Sequence, residues 1–118
     1  GPPACPHMGV DFVTVKPGDG RTYPKAGDKL RCHYVAKIAS TGVKIDSSID
    51  RGIPFRFQIG VGQVIKGWDE GMLKMSLGEQ AILTITSDSA YGARGAGGSI
   101  PANTDLIFEV ELLSITHY

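Results

Sequence analysis

The stretch that decides the fold is KLRCHYVAKI, residues 29–38, in which apolar and polar side chains alternate. Its apolar members share one face of an extended chain: Leu30, Cys32, Tyr34, Ala36 and Ile38. The other face carries Lys29, Arg31, His33 and Lys37, with Val35 as its one apolar residue. A period of two is typical of a half-buried β-strand, so we predict a strand here with one face against the core.

Four further segments alternate in the same way or are rich in β-branched and aromatic residues, and we predict a strand in each. They are residues 10–16, 55–59, 80–86 and 106–115. Ser40-Thr41-Gly42 is typical of a hairpin tip. One short helix is predicted from about Val64 to Met72, where Ile65, Trp68, Asp69 and Met72 share a helical face. The pattern predicts an α+β domain with about five antiparallel strands and one helix.

The composition limits the classes of function. A chain of 118 residues fits one domain and can bury a core without disulfides or metals. Its 12 basic and 12 acidic residues give zero net charge and form no run of one sign, which argues against an electrostatic nucleic-acid interface. No apolar stretch approaches the ~20 residues that a membrane span requires. We therefore expect neither a nucleic-acid partner nor a membrane.

The beginning of the chain and its cysteines carry two further expectations. Residues 1–7 look like a protease scar followed by a cloning remnant, so we take Met8 as the native start and residues 8–118 as the single domain. Cys32 is predicted to be a small core residue that forms no disulfide with Cys5 of the tail. A free core thiol suits a reducing compartment and no signal peptide is visible, so we expect the cytoplasm.

Two sequence features could suggest a nucleotide or metal site, but neither fits the pattern that such a site requires. Gly60-Val61-Gly62 precedes a helix pattern, but position 65 is isoleucine where a dinucleotide-binding loop needs a third glycine, and no βαβ unit surrounds it. His7, His33 and His117 match no known spacing of metal ligands. We interpret His33 as a solvated or edge-facing strand residue, and we expect no metal and no cofactor.

Three residues each leave two interpretations open. Asp46, in the segment Ile45-Asp46-Ser47-Ser48, is either a turn or cap residue or an acid in a pocket. Trp68, the only tryptophan, is either plain core or the floor of a ligand site. Tyr91 is either a loop plug or a ligand-facing hydroxyl. No nucleophile stands beside a base here, so these segments together suggest an apolar pocket with a few polar groups.

The motifs taken together resemble one family. The segment Val64-Ile65-Lys66-Gly67-Trp68-Asp69-Glu70-Gly71 is similar to the central helix of the FKBP family of macrolide-binding prolyl isomerases. So are residues 44–48, 54–57, 90–92 and 100–101, and residues 106–113 resemble the last strand of the family. Each motif alone is weak, but their order and spacing from about Gly9 to Ile115 identify the chain as a small single-domain member.

The resemblance implies an antiparallel sheet wrapped around one short helix, with a pocket between them. The residues that match pocket positions are Tyr34, Ile45, Asp46, Phe55, Val64, Ile65, Trp68, Tyr91, Ile100 and Phe108. It implies that Trp68 lies under the proline ring, that the Tyr91 hydroxyl and the Ile65 N–H donate to ligand carbonyls, and that Asp46 faces the carbonyl that twists. Asp46, Tyr91, Trp68 and Ile65 are thus the expected catalytic residues, and none of them acts as a general base.

The resemblance also implies ligands and partners. It predicts isomerisation of X–Pro bonds in polypeptides, binding of macrolides such as tacrolimus and rapamycin, and a drug-bound surface presented to a phosphatase or kinase. The chain departs from the common pattern at Ile45, where the best-known members have phenylalanine, and at Ala96 and Ser99, which replace bulkier residues. Its loop from Lys37 to Val43 is about one residue longer than in the smallest members.

Two other classes of function stay open beside the isomerase. The first is a binding or scaffold module that docks a partner through the pocket and the loop from Ala90 to Pro101, with little catalytic role. The second is a purely structural α+β domain. Turnover of model peptides separates the isomerase from both alternatives, whereas tight macrolide binding without turnover indicates the binding module.

Overall fold

A computed structural model describes residues 10–92, 95, 100–101 and 103–116. The strands are β1 (Val10–Lys16), β2 (Lys29–Ile38), β3 (Lys44–Ser47), β4 (Phe55–Gln58), β5 (Gln80–Ile85) and β6 (Leu106–Thr116). The helices are α1 (Ser48–Arg51) and α2 (Lys66–Gly71), and two 3₁₀ turns cover Met72–Lys74 and Ser87–Ser89. All strand pairs are antiparallel. The predicted α+β class is confirmed, as are all five predicted strands, with a difference of one residue at the end of three of them.

The sheet has the order β1-β5-β6-β2-β3, and β4 pairs with β2 as well. The longest pairing joins β2 and β6, which run side by side from Lys29 opposite Thr116 to Ile38 opposite Leu106. The alternation that predicted β2 is seen directly, because Leu30, Cys32, Tyr34 and Ala36 are buried. The inner face of the sheet and α2 enclose the core between them.

The sixth strand, β3, was not predicted. It has only four residues, and its Lys44 and Asp46 are of types that are depleted in strands. The strand exists because the preceding turn folds it back onto β2: the Ile38 N–H donates to the Val43 carbonyl at 2.9 Å, and Gly42 takes a φ of 74°. Pairing with β2 thus overrides a weak local propensity, while the predicted hairpin tip at residues 40–42 is confirmed.

The central helix is shorter than the predicted span from Val64 to Met72. It begins at Lys66, because Ile65 has an extended backbone with ψ of 152°, and after Gly71 it tightens into the 3₁₀ turn. Gly67 permits the helix to lie directly on the sheet, since a Cβ there would stand 2.5 Å from Ile85 Cγ2. Any side chain at position 67 would push α2 away from β5.

Two single residues complete the comparison with the sequence. Cys32 is fully buried, and burial raises the pKa of its thiol to about 12, as expected of a core residue. The prediction for His33 holds only in part, because the residue lies in a strand but is neither at an edge nor fully solvated. It lies half-buried on the interior strand β2, and its Nδ1 is 2.9 Å from Ser48 Oγ.

Within the described ranges, no helix has the length and hydropathy to cross a membrane. Cys5, His7, His117, Ala96 and Ser99 lie outside the described residues.

Candidate active site

A cavity of about 640 Å³ opens between α2 and the inner face of the sheet. Its walls contain all ten residues singled out in the sequence: Tyr34, Ile45, Asp46, Phe55, Val64, Ile65, Trp68, Tyr91, Ile100 and Phe108. They come from four strands, the helix, the loop before it and the segment between β5 and β6, so only the fold brings them together. Ala36, Gly62 and Gln63 also line it and were not anticipated.

Trp68 is the centre of an aromatic cluster at the base of the cavity. Four rings meet it with centroid separations of 5.3 to 5.8 Å and steep interplanar angles: Tyr34, Phe55, Phe57 and Phe108. Edge-to-face contacts of this kind are the favoured arrangement of aromatic pairs, and they fix the indole plane. Trp68 is thus a core residue, 3% exposed, that also lines the cavity.

The Trp68 indole has one unusual property. Its Nε1–H is buried and finds no acceptor among the described residues. A buried donor without a partner costs free energy, and buried polar atoms of this kind are uncommon in folded proteins. The indole N–H is therefore an exception to the pairing of buried polar atoms in this part of the molecule.

Asp46 stands in a network with Tyr34 and Arg51. The Tyr34 hydroxyl donates to Asp46 Oδ2 at 2.5 Å, the Arg51 guanidinium donates to Asp46 Oδ1 and to the Tyr34 oxygen at 3.0 Å, and the Ser47 N–H donates at 2.8 Å. Partial burial alone would raise the pKa of Asp46. The hydrogen bonds from Tyr34, Arg51 and Ser47 outweigh it, and the pKa is lowered from its ordinary value. The carboxylate is therefore ionised at neutral pH.

The two interpretations of the Asp46 segment divide between neighbouring residues. Asp46 lies on β3 and lines the cavity. Ser47 is the residue that caps α1, because its hydroxyl accepts from the Asp50 N–H at 3.1 Å. Ser48 is fully buried and its Oγ accepts from the Tyr34 N–H at 2.8 Å. The capped helix therefore fixes both ends of the network, since it holds the Tyr34 backbone and positions Arg51.

Asp69 organises the loop that carries Val64 and Ile65. Its Oδ1 accepts from the Gly60 N–H at 2.9 Å and its Oδ2 accepts from the Gly62 N–H at 3.0 Å. Both glycines have φ near 80°, a conformation that favours glycine. The loop is thus folded around a carboxylate of α2 and needs no phosphate. Among the described residues, the Ile65 N–H donates to no acceptor, so it remains available at the cavity wall.

Tyr91 lies at the mouth of the cavity with 40% of its surface exposed. A tight turn presents it: the N–H groups of Ala90 and Gly92 both donate to the Ser87 carbonyl, at 3.0 and 2.7 Å. Partial burial and the negative charge of Asp46 raise the pKa of the Tyr91 phenol. The hydroxyl therefore keeps its proton at neutral pH and can donate to a carbonyl oxygen.

The most instructive residue missed in the sequence is Arg51, which pairs with the pocket acid. A signal for it existed, because Arg51 follows Asp46 by five residues and ends a four-residue helix that begins at a serine cap. No group of three or more His, Cys, Asp or Glu side chains within the described ranges is placed to hold a metal ion. The ionised Asp46 carboxylate, the Tyr91 hydroxyl and the Ile65 N–H can orient a polar ligand at the cavity.

Comparisons with known proteins agree with this geometry. A family model described as FKBP-type peptidyl-prolyl cis-trans isomerase matches residues 20–113. The FK506-binding protein 1 of Yarrowia lipolytica is 56% identical over 108 residues, which are 92% of this chain and 99% of that protein. The peptidyl-prolyl cis-trans isomerase of Schizosaccharomyces pombe is 55% identical over 108 residues, covering 92% and 96%. Drosophila melanogaster Fkbp12 is 52% identical over 108 residues, covering 92% and 99%.

Proposed function

The chain belongs to the FKBP-type peptidyl-prolyl cis-trans isomerases, and on this premise we propose that its 640 Å³ cavity isomerises X–Pro bonds without covalent chemistry. One observation carries the proposal. The ten matching residues, which are scattered between positions 34 and 108, line a single cavity with a buried indole at its base. The mechanism, the ligands and the location in the cell follow as parts of this proposal.

The reaction requires rotation about a bond with partial double-bond character, whose barrier is ~18–20 kcal/mol. At the top of the barrier the amide is twisted, its resonance is lost and its dipole is smaller than in the planar state. Transfer from water into an apolar cavity therefore costs the transition state less than the ground state. Differential stabilisation of this kind accelerates the reaction and needs no acid or base.

Each side chain then has a defined task. The proline ring lies on Trp68 between Phe55, Val64 and Phe108. The Tyr91 hydroxyl and the Ile65 N–H donate to the carbonyls that flank the bond and hold them in place. The Asp46 carboxylate faces the rotating carbonyl, and its negative charge acts on the positive carbon of that group. Arg51 and Tyr34 keep this carboxylate ionised and oriented.

Macrolide binding belongs to the same proposal. The curated relatives include proteins named for binding FK506, which is tacrolimus, and the same apolar walls would accept rapamycin. Tyr91 and Val61 are 40% and 50% exposed beside this cavity. A bound macrolide would therefore lie against exposed apolar groups at the mouth, where a phosphatase or kinase would meet protein and drug together. The expected location is the cytoplasm.

Exchange NMR on short peptides tests the proposal. A Leu-Pro peptide should exchange faster in the presence of the protein than a Glu-Pro peptide, because the cavity walls that hold the preceding residue are apolar. Tacrolimus at saturating concentration should abolish the acceleration, since it occupies the same cavity. Equal or faster exchange of the Glu-Pro peptide, or full activity with the drug bound, would contradict the assignment.

A further inference from the structure

A second cavity, which we call the basic groove, has a volume of about 370 Å³ and lies at the Lys29 end of β2. It is lined by Lys29, Leu30, Arg31, Arg56, Phe57, Gln58, Gln63 and Thr116. Three of these eight side chains are cationic and none is anionic. A concave surface with this charge balance is suited to an anionic ligand.

The cations of the basic groove include two that face each other. Arg31 and Arg56 are direct cross-strand partners in the register of β2 and β4, so their side chains leave the sheet on the same face. Like charges in this position destabilise a strand pair. The ion pairs found among the described residues involve other cations, and no side-chain hydrogen bond of either guanidinium is seen in that part of the chain. An anion between the two would relieve the repulsion.

The basic groove adjoins the isomerase cavity at one residue. Gln63 lines both, and its Oε1 accepts from the Gln58 N–H at 2.9 Å, which fixes it at the boundary. Phe55 lines the first cavity and Phe57 the second, and their rings stack with centroids 5.4 Å apart. A polypeptide that left the isomerase cavity past Gln63 would therefore have the basic groove next to it.

We propose that the basic groove binds acidic side chains of the same polypeptide whose X–Pro bond lies in the isomerase cavity, so that Arg31 and Arg56 give this isomerase a preference for acidic flanking sequences. The inference rests on the proposed function of that cavity. Guanidinium groups bind carboxylates through paired, charge-assisted hydrogen bonds, and an extended chain already held at its proline brings such carboxylates to the groove at high local concentration.

Charge distribution favours an acidic polypeptide over a nucleic acid. Further along the sheet, Glu109 and Glu111 of β6 stand opposite Val35 and His33 of β2 and line a different cavity. Carboxylates therefore interrupt the positive charge along β2 and β6, so in this direction the groove does not extend into the long basic stripe that a phosphate backbone requires. The preference concerns residues outside the X–Pro pair, so it is compatible with an apolar residue directly before proline.

The test compares peptides with one Leu-Pro core and three flanking glutamates or three flanking glutamines, placed on either side of the core in separate peptides. We expect the protein to isomerise one of the Glu-flanked peptides with kcat/KM about fivefold above its Gln-flanked match, a size set by two exposed ion pairs. R31Q/R56Q should reduce the ratio to about one without changing the rate for the Gln-flanked peptide. The matched control, K74Q, removes an exposed charge outside the groove and should keep the preference.

A second measurement tests the groove proposal independently of the proposed isomerase function. A proline-free Glu-rich peptide is titrated into the protein, and the Nε–Hε resonances of Arg31 and Arg56 are followed by NMR. Shifts that saturate at low salt, weaken in 0.5 M NaCl and disappear in the double variant support the groove even if no peptide is turned over. Unshifted arginine resonances, or equal rates for Glu-flanked and Gln-flanked peptides on both sides of the core, overturn the inference and leave the isomerase proposal standing.

Discussion

Ile45 and Asp46 are consecutive residues of β3, yet both line the same cavity. In a regular strand neighbouring side chains point to opposite faces. Here the register with β2 shifts, because Ala36 pairs with Asp46 but Lys37 pairs with Lys44, so that Ile45 is an extra residue in the ladder. A β-bulge of this kind re-aims a side chain. It places an aliphatic wall and the ionised carboxylate next to each other at the cavity.

The bulge makes Ile45 the position at which ligand affinity is most easily raised. Ile45→Phe adds apolar contact while the cavity stays hydrophobic. If ~40 Å² of additional contact forms, macrolide binding should tighten by ~1 kcal/mol, or about fivefold. Isothermal titration with tacrolimus measures the change, with Ile45→Val as a control that keeps β-branching and should bind more weakly. Weaker binding by an Ile45→Phe variant that is folded by circular dichroism would show that position 45 does not contact the ligand.

Asp46→Ala should lower kcat/KM strongly but the free energy of unfolding only slightly. The Asp46 and Arg51 side chains are 45% and 47% exposed, and exposed ion pairs contribute only ~0–1 kcal/mol to folding. We expect kcat/KM to fall about fivefold or more, equivalent to ~1 kcal/mol of transition-state stabilisation. Glu109→Ala is the matched control, because it removes a comparable surface pair with Lys37 and Glu109 does not line the cavity. A loss of activity that only tracks a loss of unfolding free energy would remove Asp46 from the mechanism.

The pH dependence follows from the lowered pKa of Asp46 and the raised pKa of Tyr91. Both groups keep one protonation state between about pH 5 and 8, so kcat/KM should be flat there. The contribution of the Asp46 network to stability is present above the unfolded pKa of ~3.9 and is lost as pH falls through the lower folded pKa. Urea unfolding of the wild type and Asp46→Asn from pH 2.5 to 6 should therefore converge at the acid end. A bell-shaped rate profile near neutrality would indicate a titrating histidine instead.

Asp69→Asn tests the loop before α2. One carboxylate holds the N–H groups of both Gly60 and Gly62, and an asparagine side chain offers one acceptor and an opposed N–H. We expect a loss of ~1–2 kcal/mol in unfolding free energy, since the groups are partly exposed, and weaker binding of Pro-peptides because Val64 and Ile65 lose their support. Amide hydrogen exchange should accelerate at both glycines. Glu70→Gln is the control on the same helix, where the pair with Lys66 spans 3.9 Å.

Trp68 should report ligand binding directly, because it is the only indole and lies at the base of the cavity. Trp68→Ala should lose binding and ~3–5 kcal/mol of stability, as expected for a buried aromatic residue. Trp68→Phe keeps a ring in the cluster, so it should lose less binding affinity and less stability than Trp68→Ala. Tryptophan emission during macrolide titration of the wild type, with chemical denaturation of each variant, provides the measurements. Full affinity in a folded Trp68→Ala variant would place the ligand site elsewhere.

Most of the fold could be predicted from the sequence, because its strands alternate apolar with polar residues or are rich in β-branched and aromatic residues. β1 and β2 have the predicted ends, since β-branched residues and a regular period of two leave no competing interpretation. β3 was missed because it is short, bulged and held by its partner strand. The helix was predicted too long because a periodic pattern cannot show that a carboxylate of the helix folds the preceding loop back.

The residues that line the cavity could be predicted only from the family resemblance. Periodicity alone placed Trp68 and Phe108 on apolar faces, which is equally true of ordinary core residues. Arg51 was not predicted as a site residue. Its role depends on a side-chain contact with Asp46, which forms only when α1 is in place. The basic groove was invisible for a similar reason, since Arg31 and Arg56 lie 25 positions apart in the sequence and become neighbours only when β4 pairs with β2.

The position of β6 between β5 and β2 has a consequence for how the protein acquires its structure. Of the described strands, β6 is the last in sequence, yet it is the strand that joins the two halves of the sheet. The pair β1–β5 and the group β2, β3 and β4 therefore remain separate until residues 106–116 have left the ribosome. A nucleus that depends on such distant contacts forms slowly compared with that of a helical protein. Truncation within β6 should consequently prevent folding altogether, rather than leave a smaller domain.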